Sequence, residues 1–373
     1  MLFDDIDQDD GLFDEFEAGL VDEEPTVPGM PDIPSPRGTE NLIGHEFVEK
    51  KLLQMLDMGR FPHGLIFSGP SGIGKSVMAY RLTRFLFSEK DRAPDMFGEP
   101  EPATSLYVGQ GHSIFGKVFG GGHPDLLTLG RPIDEGTGRI KASVPVEEIR
   151  KIAPFMRRTA SVEGGWRIVI VDDADTMTRS SQNSLLKILE EPPEKALLIL
   201  ITHRAGALLP TVYSRCVHLP FQPLQDDDIA KVLEGRVNAA DIPLVVAMAD
   251  GSLGRALEYG RAEHLEMMRD ALAYFEDWTS FRWTDIQSFS EVFGNKGNDD
   301  AQRVFRETLL WVASSLIRGE AFEIPWLEVM NARLDVETKL AIYDQLSAHF
   351  DRCVYGNLDK RFMILGAFMA FEV

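Results

Sequence analysis

Eight consecutive residues, Gly69-Pro70-Ser71-Gly72-Ile73-Gly74-Lys75-Ser76, match the spacing G-x-x-x-x-G-K-[ST] at every fixed position. Residues of these types at this spacing bind polyphosphate. Gly69, Gly72 and Gly74 allow the backbone to wrap an anion with its N–H groups at a helix N-terminus. Lys75 then lies against the β and γ phosphates, and the Ser76 hydroxyl holds Mg²⁺. Roughly 100 residues further on, Asp172 and Asp173 close the apolar run Trp166-Arg167-Ile168-Val169-Ile170-Val171. Asp172 suits the metal, usually through water, and Asp173 suits a base or a carboxylate that orients water. Thr202 closes a third apolar run, where its hydroxyl can feel a γ-phosphate. The chemistry implied is the binding of a nucleoside triphosphate with Mg²⁺.

These residues need elements that bring them to one edge. Leu65-Ile66-Phe67 reads as a strand before the loop, and Val77-Met78-Ala79-Tyr80-Arg81-Leu82 as a helix after it. Leu126–Leu129, Trp166–Val171, Ala196–Ile201 and Val217–Leu219 are further short apolar runs separated by helical patterns. Such runs alternating with helices predict a buried parallel sheet, with ligands at the carboxyl ends of its strands. Pro145 opens one helix with acids in its first turn. The Pro192-Pro193 pair stops the amphipathic helix that begins near Ser181.

Composition narrows the class. The chain has 373 residues, enough for two or three domains, and a formal charge of −21. Residues 1–40 carry thirteen acidic residues and one arginine, with Pro25, Pro28, Pro31, Pro34 and Pro36 among them. This segment is expected to be a disordered acidic tail. The remainder is mildly acidic, which argues against tight DNA binding by the chain alone, since that requires clustered Lys and Arg. Cys216 and Cys353 are the only cysteines, too few for a disulfide framework or a four-thiolate zinc site. No run approaches the length of a membrane span and the N-terminus is not basic, so a cytoplasmic protein is expected. The stretch 88–122 is rich in Gly and Pro and reads as an insertion or long loop, with His112 a surface histidine.

With all these segments in view, residues 41–220 resemble the AAA+ module of bacterial clamp loader subunits of DNA polymerase III. The resemblance rests on five segments in order: Leu42–Glu46, Gly69–Ser76, Val171–Asp175, Leu185-Leu186-Lys187 with Glu190-Glu191-Pro192-Pro193, and Ser214-Arg215-Cys216. It implies an α/β fold: a P-loop NTPase core over 41–220 with the 88–122 insertion, a small helical lid over 221–262, and an all-α collar over 263–373. It further implies a subunit of a heteropentamer with gamma/tau and delta subunits that loads a sliding clamp on primed DNA. In that family the Arg of Ser-Arg-Cys reaches a neighbour's ATP site, so Arg215 is expected to act in trans. Leu12-Phe13 and Phe16 in the tail loosely resemble a short clamp-docking peptide; a solvated acidic tail with a few incidental apolar residues is the simpler reading.

The departures point to the delta-prime type. Asp173 stands where the motor subunits have Glu, and one methylene less holds an attacking water poorly. Gly254 stands where the motor's sensing arginine is usual, with Arg255 shifted by one, about 100° round a helix. The stretch 88–122 lacks the family's zinc cysteines, which excludes a zinc role without choosing between subunits, and no long tau-like tail is expected. The intact Lys75-Ser76 pair points to retained nucleotide binding with weak or absent hydrolysis. A gamma/tau-like motor is the alternative. An unrelated P-loop kinase or ATPase explains the loop and Asp172 but leaves Ser214-Arg215-Cys216 without a role.

Overall fold

The computed structural model describes residues 26–27, 30–89, 103–134, 136, 140–162, 165–292, 299–322, 324–356 and 359–372. The docking peptide expected at Leu12–Phe13 and Phe16, and residues 90–102 of the 88–122 insertion, lie outside these residues.

Five parallel strands form the centre: β1 (Gly64–Ser68), β2 (Leu126–Leu129), β3 (Arg167–Val171), β4 (Ala196–Thr202) and β5 (Val217–Pro220), in the order β2-β3-β4-β1-β5. Each neighbouring pair is parallel. Every residue of β1 and β4 is buried, as a sheet covered on both faces requires. Alternation along the strands divides the core in two. Leu65, Phe67, Ile168, Ile170, Leu197, Ile199 and Ile201 pack beneath α1 (Glu46–Asp57) and α2 (Lys75–Phe87). Ile66, Val169, Val171, Leu198 and Leu200 face the other way, against α4 (Val146–Arg150), α5 (Ile152–Met156), α6 (Arg179–Glu190) and α7 (Pro210–Tyr213). The carboxyl ends of β1, β3 and β4 therefore share one edge, and the segments leaving them converge there.

Two parts of the sequence reading change. Residues 35–40, expected within the disordered tail, lie against α2. Arg84 is wholly buried and donates to Arg37 O and Thr39 O, both at 2.9 Å, while its guanidinium lies 4.6 Å from the Phe115 ring centroid. Arg81 donates to Glu40 O at 3.2 Å, and Arg37 Nε to Tyr80 Oη at 3.2 Å. Before residues 35–40, Thr26–Val27 and Met30–Pro34 pair as antiparallel strands, so the expected disorder does not hold across 1–40. Within the insertion, α3 (Ser113–Phe119) buries Phe115 and Val118, so 103–122 packs on the domain instead of looping away from it. His112 has a structural task as the N-cap of α3, its Nδ1 accepting from Ile114 N–H at 3.2 Å.

The C-terminal half is helical. α8 (Asp226–Leu233), α9 (Ile242–Ala249) and α10 (Leu253–Tyr259) occupy the segment expected as the lid. Beyond them are α11 (Ala262–Ala273), α12 (Trp283–Val292), α13 (Asp299–Arg318), α14 (Pro325–Arg333), α15 (Val336–Gly356) and α16 (Lys360–Met369). One apolar cluster runs without a break from Leu224 and Ile229 in the lid to Phe368 and Phe371 near the end. Lid and collar, expected as separate units, share a core.

Candidate functional site

The phosphate loop joins β1 to α2 as its spacing demands. Gly69, Gly72 and Gly74 hold φ values of 145°, 74° and 103°, which side chains resist. Room is the second constraint: a Cβ on Gly69 would stand 2.5 Å from Phe221 O, and one on Gly72 would stand 2.4 Å from Ser252 Oγ. The loop borders a cavity of about 580 Å³, within the size range of small-molecule sites. Its walls come from the loop, from Asp172 and Asp173 after β3, from His203 after β4, and from the lid residues Leu253, Gly254 and Leu257. Pro36 and Thr39 close one side, which makes the ordered segment before Asn41 part of the site. Leu42, Ile43, Val77, Leu224 and Val232 give the cavity an apolar end, suited to a base.

Lys75 is 3% exposed, and its ammonium is turned inward. Nζ donates to Gly69 O at 2.7 Å, to Pro70 O, and to His203 Nδ1 at 3.1 Å. Burial pushes Lys75 down to about 8, even though Asp172, Asp175 and Asp173 favour its charge. Ser76 Oγ donates to Asp172 Oδ2 at 3.1 Å. Burial, and next the neighbouring Asp173 carboxylate, raise Asp172 above the ordinary range. A hard divalent cation takes oxygen ligands, and these two oxygens supply them. The strained charge on Asp172 is what a cation there would relieve, so the residues fit Mg²⁺.

Asp173 sits in the left-handed region, φ 50°, and both of its oxygens are taken. Oδ1 faces His203 Nε2 at 3.0 Å, and Oδ2 accepts from Arg131 Nε at 2.6 Å. The hydrogen bond from His203, more than the Arg131 pair, lowers Asp173 to about 2. A carboxylate so held is a poor base. Thr202 does not reach the site: it is fully buried, Oγ1 accepts from Arg204 N–H at 3.1 Å, and it is absent from the cavity wall. His203, the next residue, takes the place expected for it. Sequence reading also missed Arg131. The signal lay in register, since Leu129 pairs with Val171 and so puts residue 131 level with Asp173.

Arg215 lies elsewhere. It precedes β5 at the amino edge, where Arg215 O would stand 3.4 Å from a Cβ on Gly64, the first residue of β1. The loop begins at the far end of that strand, roughly 13 Å away at 3.3 Å per residue. Arg215 donates through Nη2 to Glu190 Oε1 at 2.8 Å and through Nη1 to Thr211 O at 2.9 Å, and is partly exposed. On the lid, Gly254 rather than an arginine meets the loop, its N–H donating to Gly72 O at 2.8 Å. Arg255 is not in the cavity wall, while Arg236 from the segment after α8 is.

Residues 44–225 match the family model described as DNA polymerase III, delta subunit. That segment is similar to this family. Its relatives include the DNA polymerase III subunit delta' of Bacillus subtilis, 31% identical over 60% of this chain and 61% of the relative. The delta' subunit of Escherichia coli is 29% identical over 62% and 66%, and the gamma/tau subunit of Mycobacterium bovis 32% identical over 58% and 35%. The matches thus span about a third to two thirds of these relatives' own length. The chain is thus similar to delta-prime and gamma/tau subunits alike. Among the described residues, no helix is long and apolar enough to cross a membrane.

Proposed function

We propose that the chain is a delta-prime-like, nucleotide-binding subunit of a DNA polymerase III clamp loader. It binds ATP through Gly69, Gly72, Gly74 and Lys75, with Mg²⁺ on Ser76 and Asp172. It supplies Arg215 to the ATP site of a neighbouring gamma/tau-type subunit and, in a heteropentamer with such subunits and delta, helps load the sliding clamp on primed DNA in the cytoplasm. The observation that carries this reading is the position of Arg215. An arginine at the amino edge, a strand's length from its own phosphate loop, is out of reach of its own site and free to serve a neighbour's, where it would stabilise charge on a transferring phosphoryl group. Collar residues offer a face for assembly: Val336, Leu340 and Tyr343 are exposed on α15 at helical spacing, Val336 by 69%. Weak hydrolysis by the chain itself is supported by the engagement of both Asp173 oxygens and by Gly254 on the loop.

The test is a reconstituted assembly with a gamma/tau-type partner. Arg215→Ala is expected to leave assembly intact and to slow ATP turnover by at least tenfold; unchanged turnover overturns the trans assignment. The gamma/tau-like alternative is favoured by one feature, the complete Gly69–Ser76 loop. If Lys75→Ala abolishes clamp loading in that assembly, this site fires and the motor reading stands.

A further inference from the structure

Lys75 has three N–H donors, and all three are committed inside the protein: to Gly69 O, Pro70 O and His203 Nδ1. The third partner fixes the chemistry of His203. An ammonium has no lone pair, so Nδ1 must accept and the imidazole must be neutral with its hydrogen on Nε2. That hydrogen is then donated to Asp173 Oδ1 at 3.0 Å. His203 is positioned independently of Lys75, because its own N–H donates to Asp175 Oδ1 at 3.0 Å and it directly follows the fully buried β4. The ring therefore bridges the loop lysine and the Asp173 carboxylate.

We propose that His203 is a positioning residue that holds Lys75 back on its own loop and yields it to an incoming polyphosphate, so that it sets the affinity of the site. The inference rests on the nucleotide-binding reading above. A polyphosphate that recruits Lys75 must first break the bond to His203 Nδ1, so this histidine opposes binding. Removing the acceptor removes the opposition. Asp173 stays anchored by Arg131 Nε at 2.6 Å.

The experiment is calorimetric titration of the full chain with MgATP and with MgADP, in native form and as His203→Leu and His203→Gln. His203→Leu is expected to tighten both nucleotides by about three- to tenfold, the effect of one hydrogen bond to a charged group moderated by the two carbonyl bonds that remain. His203→Gln, whose amide oxygen still accepts, is expected to stay within about twofold of native. A structural role alone would weaken binding in both variants. Unchanged or weaker affinity in folded His203→Leu overturns the proposal and leaves the nucleotide reading standing; a native chain that binds neither nucleotide overturns both. Nitrogen NMR of the native chain, labelled at histidine, does not depend on the variants folding: the Nδ1 resonance of His203 is expected to move toward an unbonded acceptor on adding MgATP. An unmoved resonance at saturation also overturns the proposal.

Discussion

A lysine enclosed by its own loop and flanked by three aspartates carries opposing influences, and burial wins. With Lys75 pushed down to about 8 from its usual value of 10.5, the folded chain loses this proton two or more pH units before the unfolded chain does. The sign follows. Below pH 8 the ammonium is present and must be kept at the cost of its burial; between 8 and 10.5 the unfolded state alone binds the proton, so this group's contribution to stability rises with pH. Phosphate binding runs the other way, because the bound anion needs the ammonium. Affinity for MgATP is expected to be flat from pH 7 to about 8 and then to weaken, approaching tenfold per unit, in titrations across pH 7–9.5. A constant affinity to pH 9.5 would show that Lys75 keeps its charge in the folded chain. At this scale the sequence disclosed the residues whose roles are set by a contiguous pattern, Gly69 to Ser76, and by a strand end, Asp172. It did not disclose Arg131 and His203, whose meeting with Asp173 depends on pairing between strands distant in the chain.

α10 shows how much a single element can carry. Its N-terminus is capped by Ser252, whose Oγ accepts from Arg255 N–H at 3.3 Å and donates to Ser71 O at 2.8 Å, while Gly254 N–H bonds Gly72 O. Backbone rests on backbone here, and a Cβ at Gly254 would stand 2.9 Å from Gly72 Cα. Neither side can yield as a flexible side chain could. Gly254→Ala is therefore expected to lift the lid from the loop and to cost about 1–3 kcal/mol in urea unfolding, and Gly254→Arg at least as much. A Gly254→Arg chain as stable as native would refute this view of the contact. The strands and the amphipathic helices were legible, because continuous apolar runs and regular stripes survive in one dimension. α12 and α14 were not. α12 buries Ile286, Phe289 and Ser290, so a serine interrupts its stripe, and α14 buries only Leu327 and Met330. The segment 35–40 was hidden for another reason: Arg84 and Arg81 hold it by its carbonyls, which composition cannot reveal.

Across the whole molecule, the shared core of lid and collar is pinned by a polar joint at the far end of α10. Glu258 is buried and paired with Arg303 of α13, with Nη1 donating to Oε2 at 3.1 Å and Nη2 to Oε1. Arg303 also lies 3.5 Å from Glu307, which accepts from Tyr259 Oη at 2.8 Å. One helix thus touches the phosphate loop at its start and the collar at its end, so that a shift of the loop has a rigid route to α13. The joint's energetics are unequal for the two ways of removing it. Arg303→Met leaves Glu258 buried without its cation, expected to cost about 2–3 kcal/mol given that the arginine is itself partly exposed. The double variant Glu258→Gln with Arg303→Met removes both charges and is expected to recover most of that loss, since the surrounding core is already apolar. Urea unfolding followed by tryptophan fluorescence reads this half selectively, because Trp278, Trp283, Trp311 and Trp326 lie in it and only Trp166 lies in the sheet domain. If the double variant is no more stable than the single one, the pair holds lid to collar by geometry rather than by compensating a buried charge. In that case ATP turnover in the reconstituted assembly of the proposed function should respond to the double variant as strongly as to Arg303→Met, whereas a recovered stability predicts recovered coupling.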